Sequence, residues 1–146
     1  MFSQILVPTD GSDASLVAVD QAIAIASRFG TTVHFLHVVD VGTEMSASGV
    51  GDIADDLMET LDDMAADAID TAESRAEEAG VSYERTVLEG FPHEAILDHS
   101  ADHDIDLVVL GESGQSGLKE HLLGSTTDRV AQSAETSVLI ARGPGS

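Results

Sequence analysis

Five short apolar, β-branched runs alternate with segments of helical periodicity, and this alternation restricts the fold more than any other feature of the chain. The first run, Gln4 to Val7, is stopped by Pro8. Ser12 to Arg28 follows, with Leu16, Val19, Ile23 and Ile25 at roughly helical spacing and Gly30 as a C-cap. Thr32 to Val39 reads as the second strand, and the small, glycine-containing stretch from Asp40 to Ile53 as a mobile loop. Asp55 to Glu78 predicts a long amphipathic helix, its stripe formed by Leu57, Leu61, Met64, Ala68, Ala72 and Ala76. Val81 to Leu88, Ile105 to Leu110 and Thr136 to Ala141 are the remaining strands. A helix opened by Phe91-Pro92 and running to about Ala101 separates the first two, and a helix from Ser125 to Ala134 precedes the last. Such an order implies right-handed crossovers and a parallel sheet with helices on both faces. At 146 residues one domain is expected, spanning 1–142 with a short tail at 143–146.

In an open parallel sheet, ligands sit beyond the carboxyl ends of the strands. Three segments follow such ends: Pro8 to Ser12, Val38 to Asp40, and Gly111 to Thr127. The last is the most informative. Gly111 and Gly114 form a Gly-x-x-Gly pair, and Gly124 follows with the hydroxyl run Ser125, Thr126, Thr127. Glycines let amide N–H groups converge on an anion, and a following helix adds its orphan donors and the positive end of its dipole. The alternative is purely structural: a strand-to-helix loop in which Ser125 and Asp128 make a capping box. The second glycine and the hydroxyl run tip the reading towards a phosphate.

Six Lys and Arg stand against 27 Asp and Glu, a formal charge of −21, and Lys119 is the single lysine. With 42% hydrophobic residues in periodic order, the chain is expected to fold despite that charge. Self-repulsion of this size opposes compaction, and molar salt shortens the screening length to about 3 Å. The composition therefore fits a halophilic cytoplasm. Nucleic acid is disfavoured as a partner because no basic patch is present. Cysteine is absent, which excludes disulfide and thiolate chemistry. The opening residues predict neither a leader nor a membrane span.

Other constellations carry less. Asp10 is either a ligand contact or the Asx residue of a turn. His99 and His103, with Asp98 and Asp102 beside them, have metal-compatible spacing, yet His103 is expected past the helix end, making them a surface pair. His34 and His37 should face opposite sides of their strand. Asp55-Asp56 and Asp62-Asp63 read as a solvated helix face. No Ser–His–Asp arrangement is evident, and the glycine loop lacks the cations of fast phosphoryl-transfer enzymes.

Several of these segments resemble the universal stress proteins. ILVPTDGS (Ile5 to Ser12) is similar to their first strand and turn, His37-Val38 to the end of their second strand, and GFPHEAI from Gly90 to their third crossover. Gly111, Gly114, Gly124 and Ser125 follow the G-x2-G-x9-G-[ST] pattern of the ATP-binding branch, and SVLIAR from Ser137 matches the closing strand. The resemblance implies a Rossmann-like, open five-stranded parallel sheet in the order 3-2-1-4-5, and a homodimer joined through the last strand. It implies ATP, with Mg²⁺ held through the phosphates. The Val38 backbone would contact adenine, while Pro8, Thr9 and Asp10 line the adenine and ribose. Gly111 and Gly114 would approach ribose and phosphates, Gly124, Ser125 and Thr126 would hold the phosphate tail, and Gln115 and Ser116 complete the set.

The chain departs from the pattern at Ser113 and Gln115, where relatives often carry a basic residue, and Glu112 adds a negative charge. Lys119 is the one basic residue inside the loop. The expected function is a cytoplasmic, nucleotide-responsive stress or signalling module acting on an unidentified protein partner. The rivals are an interaction module of the same fold with an empty crevice, and a slow ATPase.

Overall fold

The computed structural model describes residues 3–40, 52–111 and 122–142. Five strands, β1 (Gln4–Pro8), β2 (Thr32–Asp40), β3 (Tyr83–Gly90), β4 (Leu107–Gly111) and β5 (Ser137–Ala141), form one sheet in the order β3-β2-β1-β4-β5. Every pairing is parallel. Among the described residues four helices connect them: α1 (Asp13–Phe29), α2 (Asp52–Ala79), α3 (Pro92–Asp102) and α4 (Leu122–Ser133). Both the order and the alternation agree with expectation. Most of the loop expected between Asp40 and Ile53 falls outside the described residues.

Side chains alternate across a strand with a period of two, so each central strand feeds two cores. Ile5, Val7, Val33, Phe35, Leu107 and Val109 face α1 and α2, where they pack on Val19, Ala22, Ile69 and Ala72. Leu6, Leu36, Val108 and Leu110 face the other way, onto Ile96 of α3 and Val130 of α4. Full burial of a side chain such as Phe35 or Leu6 contributes on the order of 1.5–3 kcal/mol. Of the stripe expected on α2, the alanines Ala68, Ala72 and Ala76 are buried, and the side chains of Leu57, Leu61 and Met64 lie outside those described. Ile69 joins Ala68, Ala72 and Ala76 in the buried face.

Capping and helix-closing bonds set the element ends. Ser12 is the N-cap of α1, its hydroxyl accepting from the Ser15 N–H at 3.1 Å. Gly30 ends that helix at φ +69, a left-handed conformation that glycine adopts without a Cβ clash. Val81 is not yet in β3: its N–H donates to the Ala76 carbonyl at 3.0 Å and closes α2. Ile105 and Asp106 precede β4 for a similar reason, their N–H groups donating to Ser100 and Gln4 carbonyls. Asp106 also accepts through Oδ2 from the Ser3 and Gln4 N–H groups, at 2.7 and 3.0 Å, and so clamps the start of β1.

Helix α4 starts at Leu122, a turn earlier than expected. Gly124 and Ser125 thus lie within its first turn, and Ser125 is not the residue that caps it. The adjacent leucines, strong helix formers, carry the helix back past the serine.

Candidate functional site

A crevice opens at the carboxyl ends of β1 and β2, lined by Pro8, Thr9, Asp10, Leu36, His37, Val38, Pro92, Ile96 and Thr126. Its volume, open mouth included, is about 320 Å³, at the lower end of the range of ligand pockets. Four elements build it: the end of β1 with the following loop, the end of β2, the first turns of α3, and α4. Apolar walls from Leu36, Pro92 and Ile96 surround a few polar groups, the usual composition of a small-molecule site.

The β1–α1 loop is fixed by its own backbone. The Thr9 N–H donates to the Leu36 carbonyl at 2.8 Å, and the Thr9 carbonyl accepts from His37 Nδ1 at 2.8 Å. Because a carbonyl only accepts, His37 carries its hydrogen on Nδ1. The Asp10 carboxylate accepts the Ser12 N–H at 2.9 Å while lining the crevice, so the two readings of Asp10 are not exclusive: it makes an Asx turn and faces the cavity. The Ser15 hydroxyl donates to the Ser12 carbonyl at 3.0 Å and lies 3.5 Å from that of Thr9. Thr9 and Thr126 are both buried.

Pro8, Thr9, Asp10, Val38 and Thr126 thus meet in one crevice although they come from three distant stretches. Gly111 stands at the end of β4, outside that lining. There it packs against Ala14, and its carbonyl accepts from the Thr127 hydroxyl at 2.9 Å. Gly114, Gln115 and Ser116 lie outside the described residues, as do Glu112, Ser113 and Lys119. Gly124 and Ser125 are placed by the backbone of α4 alone.

Sequence reasoning missed Leu36, His37, Pro92 and Ile96 as crevice residues. Strand parity pointed to Leu36, and the Pro-initiated helix to Pro92, but only the packing of α3 across β2 brings them together.

The expectation for His99 is corrected. It is 6% exposed, not a surface residue, because Ile96, His99 and Ser100 share the face that α3 lays on the sheet. His103 is exposed, as expected. Among the described residues no group of three or more His, Cys, Asp or Glu side chains is arranged to hold a metal ion. His34 and His37 engage different partners, Gln4 and the Thr9 backbone respectively. Among the described residues no helix is long and apolar enough to cross a membrane.

Comparison with known proteins places this architecture. Universal stress protein MJ0531 of Methanocaldococcus jannaschii is 36% identical over 146 residues, covering 99% of this chain and 84% of its own. The solved structure of MJ0577 from the same organism superposes with a TM-score of 0.83 at 28% identity, over 100% of this chain and 99% of that one. A universal stress protein solved in complex with cAMP superposes with a TM-score of 0.69 at 28% identity, over 97% of each chain. The family model described as the universal stress protein family matches residues 1–142. The chain belongs to the universal stress protein family.

Proposed function

We propose that this chain is an adenine-nucleotide-binding stress or signalling module that takes ATP in the crevice at the carboxyl ends of β1 and β2. The observation that carries this reading is the meeting of Pro8, Thr9, Asp10, Val38 and Thr126 around one largely apolar cavity. Purine faces suit walls such as Leu36 and Ile96, and the polar rim offers Asp10 and Thr126 to a ribose and its phosphates. The cAMP complex of a relative supports the nucleotide class. The stretch from Gly111 to Ser125 then supplies backbone donors for the phosphates, with Mg²⁺ held mainly by the phosphate oxygens.

A nucleotide brings several negative charges to a chain of net charge −21, so binding strengthens with salt. The module works as a cytoplasmic homodimer joined through β5, one edge of the sheet, and ATP alters the surface offered to a protein partner. Residues 1–142 form the single functional domain.

The test is nucleotide content. The protein is purified in molar KCl and denatured, the supernatant is resolved by anion exchange, and empty protein is titrated with Mg-ATP by calorimetry. One adenine nucleotide per chain is expected. Gly114→Val should abolish it, since a β-branched side chain fills the phosphate path. An empty wild-type protein indifferent to added ATP would turn the reading to an interaction module whose glycines serve the fold alone.

A further inference from the structure

Helix α3 works at two places. Near its start, Pro92 and Ile96 form a wall of the crevice. At its other end, His99 stacks on His103 with ring centroids 3.9 Å apart and meets His34 of β2 edge-on at 6.5 Å. Hydrogen-bond chemistry settles two of the three rings. His103 Nδ1 donates to the His99 carbonyl at 3.1 Å. His34 Nε2 donates to Gln4 Oε1, leaving the bare Nδ1 of the neutral ring 3.7 Å from Glu84 Oε1. The third ring is the unusual one: His99 Nε2 is buried and has no partner.

We propose that this histidine cluster is a proton-operated latch on α3: neutral rings seat the helix on the sheet, and protonation releases it and loosens the crevice wall made by Pro92 and Ile96. In a protonated His99 both nitrogens carry hydrogen, so Nε2 becomes a buried charged donor with no acceptor. The ring would also carry its charge against two other imidazoles. The titratable groups around it are His103 and Asp102 on α3 itself, His34 on β2 and Glu84 on β3. β1 contributes the neutral Gln4, and among the described residues no charge from α4 acts on either buried ring.

Burial pushes His99 below the ordinary histidine range, and the neighbouring imidazoles add to it against the weaker pull of Asp102 and Glu84. Burial lowers His34 too, opposed by Glu84. Helix release lets both rings reach water and take up protons at their ordinary value. Acid therefore favours the released state. This latch does not depend on which ligand the crevice takes.

Amide hydrogen exchange followed by NMR tests it, in molar KCl, over a series from about pH 7.5 to about pH 5 that brackets ordinary histidine titration. After correction for intrinsic rates, amides of Ala95 to Asp102 should lose protection as pH falls. The loss is about tenfold for each unit by which the folded pKa lies below the unfolded one. Amides of Leu6 and Val108, which open only on global unfolding, should stay better protected than those of α3 at every pH. His99→Phe retains a buried ring without a titrating nitrogen and should flatten most of the dependence. Protection of α3 that ignores pH, or that equals the protection of β1 and β4 throughout the series, overturns the latch. So does an undiminished pH dependence in His99→Phe. A ring-proton titration of the wild type needs no variant, and a His99 pKa at or above the ordinary value overturns it as well.

Discussion

Gly111 lies against the backbone of Ala14: a Cβ built on the glycine would stand 2.6 Å from the Ala14 carbonyl oxygen and 2.7 Å from its carbonyl carbon. The end of β4 and the first turn of α1 are thus locked together, and the Thr127 hydroxyl, donating to the Gly111 carbonyl at 2.9 Å, ties α4 to the same point. Because the obstacle is backbone, it cannot swing aside. Gly111→Ala should destabilise the protein by about 2 kcal/mol through overpacking. Thr127→Val, which leaves a buried carbonyl short of a donor, should cost on the order of 1–3 kcal/mol. Urea unfolding at fixed salt measures both, and a midpoint unchanged in Gly111→Ala would contradict the close approach.

Tyr83 is the single tyrosine, and its hydroxyl donates to Glu77 Oε2. That bond holds its pKa up at about 12, with smaller contributions from burial and from the charges of Glu77 and Glu73. Ultraviolet titration of the phenolate reads this residue alone. Glu77→Gln should bring the midpoint down towards the ordinary value of 10.0. A wild-type midpoint already at the ordinary value would mean that the bond does not form in solution.

Burial lowers His34 and His99 below their ordinary value of 6.5. With a folded pKa below the unfolded one, the unfolded chain binds more protons between the two, so stability rises with pH there. The contribution is complete above about 6.5 and is lost as pH falls through the folded values. Urea midpoints measured in molar KCl should hold steady just above neutrality and decline below it. The decline should shrink in a His34→Gln/His99→Phe double variant. An identical slope in that variant would assign the acid sensitivity to other groups.

Salt should decide whether the chain stays compact. The arginines are already engaged where they face acids: Arg75 donates to both oxygens of Asp20 at 2.8 and 2.7 Å, and Arg85 lies 3.6 Å from Asp70 and 3.3 Å from Glu73. These exposed pairs each contribute about 0–1 kcal/mol, far too little to offset the repulsion among 27 acids. The thermal midpoint should climb steadily as KCl rises towards about 1 M, where screening acts within about 3 Å. A midpoint insensitive to salt would remove the case for halophilic adaptation.

Much of the architecture was legible in the sequence because local periodicity and global packing agree. The period-two alternation of Ile5, Leu6 and Val7 assigns each side chain to a core. Ser12 and Gly30 mark the ends of α1 by capping chemistry that acts within a few residues. Pro8, Thr9, Asp10 and Val38 could be named for the crevice because they follow strand ends in an open parallel sheet.

Local periodicity was thus enough for strand and helix identity, the two-faced sheet and the end of it at which the crevice opens. All of these follow from repeats a few residues long. Long-range packing alone makes Ile96 close the crevice, sets Gly111 against Ala14 so that no side chain fits there, and buries His99 near His34 with an unpartnered nitrogen. Each depends on contact between residues far apart in the chain, and no local pattern encodes such distances.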